Sequence, residues 1–328
     1  MNAIAGALAA DPAAASPIDE AAASGDPRHA FLRAAWFAEA ERTLIARRGD
    51  GSVSGALPLV RRAPFLQAVP GSYWPMRSFP LAPDADLKAL LAGVPAPVLR
   101  IGPIRADDPT LLRLAGARGW TMLRRRIGTC YVFELGAAAR AGEWPRGSTL
   151  KKNRWFEKQL AAEGPLRFET VRGAAWTGAT FDLLAEIERK SWIASRTDAR
   201  DAKFLAPHHR TFWEQAVRDP RLAEMISASV LFVGDRPAAF AFGLEAGTTY
   251  YLIANSYDEH FARHSPGRVL IHRDLERAMQ AGIEEVDWGS GDAGYKKVTG
   301  GEPGPDILDC LLVRSRVLAA VLRPLWAR

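Results

Sequence analysis

Cysteine is nearly absent: Cys130 and Cys310 are the only two among 328 residues. That is too few for a disulfide framework, and it agrees with a reducing compartment. No apolar run approaches the roughly 20 residues that span a bilayer. The alanine-rich start, residues 1–15, lacks the positive segment that opens a secretory signal, so the cytoplasm is the expected location. Three catalytic signatures are missing too. There is no Gly-x-Ser-x-Gly elbow, no P-loop and no intact dinucleotide glycine fingerprint, which leaves hydrolase, kinase and Rossmann readings without support. His260 and His264 stand four apart, but no carboxylate or cysteine completes a ligand set, so no metal is expected.

What the chain does have is apolar material for one large core or two modest ones, with 48% hydrophobic residues, and a net charge of +6. Such a charge suits anionic ligands: coenzyme A, nucleotide sugars or RNA. Basic residues gather at 124–126 and 151–154, the second group opening a helix expected from about Ser148 toward Gly164. As a phosphate clamp it would be functional; as a solvated face it would be ordinary.

The densest information lies between Ser265 and Lys297. Ser265 is a preferred N-cap, Pro266 suits the first helical position, and Gly267 permits close approach to the backbone. Ile271, Leu275, Ala278 and Met279 recur at helical spacing, and Gly282 ends the run. The first-turn amides of Gly267, Arg268 and Val269, with the helix dipole behind them, are expected to hold an anion. After this helix a short strand, 284–288, ends in Asp287, Trp288, Gly289, Ser290, Gly291 and Asp292, followed by Tyr295 and Lys296. Before it, segments 222–233, 237–244 and 248–254 read as strands joined by turns at Gly234-Asp235 and Ala246-Gly247.

Three antiparallel strands, a helix, then a parallel strand is the order of the GNAT acyltransferase fold. From Ser191-Trp192 through Ser265–Leu270 to the Asp287–Asp292 and Tyr295-Lys296 end, the chain resembles the CelD-type branch of that superfamily, found with bacterial exopolysaccharide biosynthesis genes. The resemblance covers about the second half. It departs from the usual pyrophosphate loop, where His264, Gly267 and Val269 occupy the matching positions and the valine narrows the approach. The resemblance implies an α/β (α+β) fold: a mixed, mostly antiparallel sheet flanked by helices. The first half shows a weaker version of the same order, which suggests tandem GNAT-like halves: a flexible tail over 1–25, a degenerate half over 26–145 and an acyltransferase half over 146–328. The Gly- and Pro-containing segment 142–147 is the best boundary.

The activity it implies is N-acyl transfer, most simply acetyl, from acyl-coenzyme A to an amine of a small molecule or saccharide precursor. No DNA partner is implied. Such transfer needs a base for the ammonium, a polarised thioester carbonyl and an acid for the departing thiolate. Asp287 and Asp292 are the candidate bases or orienting groups, and Tyr295 the candidate acid. Backbone at Leu252, Ile253 and Asn255, with Ser265, Gly267, Arg268 and Val269, would hold the coenzyme. Trp192, Arg196 and Lys296 would meet the acceptor. Two other readings stand beside this one: a Fem-type transferase using aminoacyl-tRNA on a cell-wall precursor, and a non-catalytic binding protein that keeps the fold.

Overall fold

The computed structural model describes residues 16–196, 202–291 and 294–326. Eleven strands form one sheet: β1 (Arg42–Arg47), β2 (Val53–Ala63), β3 (Leu66–Ala68), β4 (Val98–Arg105), β5 (Thr121–Phe133), β6 (Leu166–Arg172), β7 (Ile226–Val233), β8 (Arg236–Ala246), β9 (Thr249–Tyr257), β10 (Glu285–Ser290) and β11 (Glu302–Val313). The helices are α1 (Pro17–Ser24), α2 (Leu87–Ala92), α3 (Pro109–Ala115), α4 (Leu135–Arg140), α5 (Gly147–Ala161), α6 (Gly178–Arg189), α7 (Trp192–Arg196), α8 (Pro207–Ala216), α9 (Pro220–Met225), α10 (Pro266–Gln280), α11 (Tyr295–Val298) and α12 (Arg316–Trp326).

Strand order across the sheet is β1-β2-β3-β4-β11-β5-β10-β9-β8-β7-β6. Only β3/β4 and β9/β10 are parallel pairs, and every other neighbour is antiparallel. The order is close to symmetric about the line between β11 and β5. On each side of it an antiparallel run leads into one parallel pair, whose inner strand meets a strand from the other half of the chain. Thus β11 lies against β4, and β5 lies against β10. The halves do not merely touch: each lends the other a strand.

Two apolar layers cover the sheet. On one face Phe181, Leu184 and Ile187 of α6 join Trp36, Trp213, Phe204 and Phe242. On the other, Val269, Leu270, Ile271, Leu275 and Ala278 of α10 join Phe156 and Leu160 of α5, Trp144 and Trp288. The helical spacing of those α10 residues is what buries one side of it.

Local chemistry corrects several expected boundaries. Residues 222–225 belong to α9, because Asp219 accepts from the Arg221 and Leu222 amides at 2.8 and 3.0 Å and Pro220 opens the helix. Within residues 27–40 lie two short 3-10 turns, Pro27–His29 and Ala34–Phe37. Part of the expected tail is ordered, since Ile18 and Ala21 of α1 pack into the core under a Ser16 cap.

Candidate active site

The parallel pair β9/β10 holds register only from Glu285↔Thr249 to Asp287↔Tyr251. Beyond that point the strands part. The cause lies on the other side of β9, where Gly243 faces Leu252 but Phe242 faces Ala254, leaving Ile253 without a ladder partner on β8. A bulge of this kind bends its strand and turns an amide away from the ladder. The gap opens into a cavity of about 900 Å³ walled by Leu252–Asn255 of β9, Trp288–Ser290 of β10 and the start of α10.

At the mouth stands Ser265, the only non-glycine residue with positive φ among the described residues (φ 48°, ψ 53°). It links a 3-10 turn, Glu259–His264, to α10, and its hydroxyl makes no capping bond. Strained backbone of this sort is held in place by its surroundings and gathers at binding sites. One expectation needs correction: the Ser265 carbonyl accepts from the Arg268 amide at 3.1 Å and the Val269 amide at 3.2 Å. Val269 is the first position with a helical carbonyl four residues behind it, and its side chain is buried in the core. The amide cradle is therefore thinner than the sequence promised, leaving the Gly267 amide and the Arg268 side chain. A Cβ on Gly267 would lie 3.2 Å from the Tyr257 ring, so the site is close-fitting there.

Deeper in the cavity, Asn255 Nδ2 donates to the Tyr295 hydroxyl at 2.9 Å. Burial pushes the Tyr295 phenol upward and the Asn255 bond works against it, with a net rise, so the group keeps its proton. Lys296 is buried and donates to the carbonyls of Gly289 at 3.2 Å and Ser290 at 2.7 Å, which ties the glycine-rich strand end to α11. Trp192 lines the outer wall.

Asp287 is elsewhere. It is 0% exposed and lies on the opposite face of the sheet from Trp288. One oxygen accepts from the Gly289 amide at 2.8 Å and the other from Arg105 at 3.0 Å. Burial raises its pKa, and the guanidinium opposes that only in part. Arg105 also binds Asp107 and Glu285, each at 2.8 Å. Although its own burial pulls downward, these carboxylates hold Arg105 above the ordinary range. The structure thus brings Leu252, Ile253, Asn255, Ser265, Gly267, Arg268, Trp192, Tyr295 and Lys296 to one cavity and keeps Asp287 and the Val269 side chain out of it. Asp292 and the side chain of Arg196 lie outside the described residues.

Sequence reasoning missed several wall residues. Tyr73 and Trp74 come from the first half, and Lys203 reaches the Tyr73 hydroxyl. Glu188 accepts from the amides of Lys203, Phe204 and Leu205 at 2.8, 2.8 and 3.0 Å, fixing that segment over the cavity. A signal existed: Glu188 follows the apolar stripe Phe181, Leu184 and Ile187 into the core. Beyond Arg268 and Thr299 a second cavity of about 410 Å³ is walled by Phe133, Trp144 and His272. Between the two cavities, Arg268 Nε donates to buried Asn153 at 3.0 Å.

A mixed sheet whose parallel strands part over a helix N-terminus has the GNAT acyltransferase fold. In agreement, residues 147–297 match the family model described as an acetyltransferase (GNAT) domain. Among solved structures the chain is similar to FemX, at 12% identity and a TM-score of 0.63, over 93% of this chain and 97% of that one. A conserved protein of unknown function from Bacteroides thetaiotaomicron gives 13% and 0.55, over 91% and 97%. L-PGS from Bacillus licheniformis gives 13% and 0.51, over 96% and 98%. No curated protein matches the chain. The GNAT superfamily is supported, whereas none of these matches singles out the exopolysaccharide-associated branch.

Proposed function

We propose that this protein is an N-acyltransferase that moves an acyl group, acetyl in the simplest case, from acyl-coenzyme A to an amine on a small molecule or saccharide precursor. The observation that carries this reading is the β9 bulge, which parts β9 from β10 directly beside the start of α10. The gap is shaped for an extended thiol arm, and the helix start is suited to phosphate. In this reading the Gly267 amide and Arg268 hold the pyrophosphate, and Ile253 turns its amide toward the thioester carbonyl. The neutral amine attacks that carbonyl and forms the C–N bond, the C–S bond breaks, Tyr295 gives its proton to the leaving thiolate, and the proton shed by the amine nitrogen passes through solvent to restore the Tyr295 phenol. Lys296 fixes the loop that borders the acceptor, Trp192 lines the wall beside it, and Arg196 is a candidate acceptor contact. Residues 26–145 and 146–328 act as two repeats, the first supplying Tyr73 and Trp74 to the wall.

A Fem-type reaction with aminoacyl-tRNA is the second reading. It is favoured by the exposed Lys151, Lys152 and Arg154 of α5, whose neighbour Asn153 is bonded to Arg268. A non-catalytic binding protein is the third. Titration calorimetry with acetyl-coenzyme A separates them: binding in the micromolar range is expected, and no heat at millimolar ligand would sink the first reading. Binding of charged tRNA that collapses with salt would favour the second.

A further inference from the structure

The last helix has two apolar faces and only one is used. Leu318, Ala319, Leu322 and Trp326 of α12 pack with Leu66, Val98, Leu123 and Val313. Trp326 is fixed firmly: its indole donates to the Asp309 carbonyl at 3.3 Å, and the Arg125 guanidinium lies 4.4 Å over its ring. On the outer face Val317, Val321 and Leu325, at helical spacing, are 77%, 59% and 63% exposed. Phe65, 55% exposed, sits at the same end of the sheet, because its neighbour Leu66 is in register with Val98, and Val98 with Val313, from which the chain turns into α12.

Charge decides what can cover this surface. No Asp or Glu occurs from Cys310 to Arg328, while Arg314, Arg316 and Arg323 lie in that stretch and Arg61 and Arg62 precede Phe65. Of these, Arg62 has an exposed partner in Glu39 at 3.4 Å, and Arg314 is bonded to the carbonyls of Leu91 and Val94. A second copy docked isologously would set this cationic surface against itself. A protein partner is disfavoured by the residue types, since aliphatic Val and Leu on a convex helix are poor anchors compared with Trp or Tyr in a pocket. Exposed aliphatics on a helix that also carries exposed arginines, Arg316 and Arg323, fit the boundary between anionic headgroups and acyl chains.

We propose that the outer face of α12, with the Phe65 turn beside it, docks the folded protein onto an anionic lipid bilayer. Val317, Val321 and Leu325 enter the acyl boundary while Arg316 and Arg323 meet headgroup phosphates. Among the described residues no helix is long and apolar enough to cross a membrane, and the packed face of α12 stays packed. This docking does not depend on which acyl donor the enzyme uses.

The test is co-sedimentation of the full chain with phosphatidylcholine vesicles, with and without about 30% phosphatidylglycerol. Binding is expected only with the anionic lipid, and it should fall as salt rises from about 0.1 to 0.5 M. The combined Val317→Ser, Val321→Ser and Leu325→Ser variant should bind about tenfold or more weakly with its thermal unfolding unchanged, since these side chains contact solvent. Phe65→Ser should weaken binding in the same direction without touching the helix. A Lys151→Glu and Lys152→Glu variant should still bind. Failure of the wild-type protein to bind would overturn the proposal, as would equal binding by the triple-serine and Phe65 variants. So would a concentration-dependent dimer that the triple-serine variant abolishes.

Discussion

Arg105 and Asp287 meet across 182 positions of sequence, and each depends on the other for its place in the interior. Removing the guanidinium leaves the wholly buried carboxylate of Asp287 without its cation. Arg105→Ala is therefore expected to cost about 3–5 kcal/mol in denaturant unfolding, the usual penalty for breaking a buried ion pair from one side. Asp287→Asn should cost clearly less, because Arg105 keeps Asp107 and Glu285. The same pair of variants separates a positioning role from a catalytic one. If Asp287 served as a base, its Asn variant would lose turnover without a matching loss of stability. For Tyr295 that catalytic pattern is the expected one: Tyr295→Phe should lower kcat by about 10²–10⁴-fold with KM and melting temperature little changed. Asp287 was legible as a polar residue at a strand end; its partner was not. Arg105 lies at the end of β4 in the other half, and nothing in spacing connects it to β10.

At the scale of the element, α10 was the most legible part of the molecule. Its apolar residues keep helical spacing, and Pro266 marks its start. Yet it carries polar groups into the interior. Asp274 accepts from the Ser229 hydroxyl at 2.8 Å and the Tyr250 hydroxyl at 2.6 Å, bonds no periodicity could announce. His272 packs beside Trp144, with ring centroids 5.5 Å apart, and burial pulls its pKa below 6.5. In the window between that lowered value and 6.5 the unfolded chain binds the proton and the folded one does not. Stability must therefore fall as pH drops from 6.5 through the folded pKa. His272→Gln should flatten that part of the melting-temperature profile, and an unchanged slope would exclude His272 as its source. The β9 bulge, by contrast, was invisible beforehand. The run from Leu252 to Asn255 reads as uninterrupted strand, and the extra residue shows only when Gly243 and Phe242 are paired against it.

For the whole molecule, residue patterning revealed the kinds of elements but not their exchange between halves. Sequence order alone would seat β11 beside the strands of the second half. Its seat between β4 and β5 follows instead from the apolar residues on β11: Ile307, Cys310 and Leu312 pack with the first-half layer. A fragment of residues 146–328 would leave β10 without β5 and β11 without either neighbour. Such long unpaired edges are aggregation sites. This fragment should be insoluble alone and recovered in solution when residues 1–145 are co-expressed, with a single unfolding transition for the pair. Two separate transitions in the intact chain would contradict this dependence.

The same exchange sets a schedule for the nascent chain. The slot between β4 and β5 is complete on both sides once residue 133 has left the ribosome, but the strand that fills it ends at residue 313. At roughly 5–20 residues per second, the first half waits about 10–40 s with two facing strand edges unsatisfied. Over that interval a binder of exposed strands has its longest access to this protein, and slow translation of the second half lengthens the exposure.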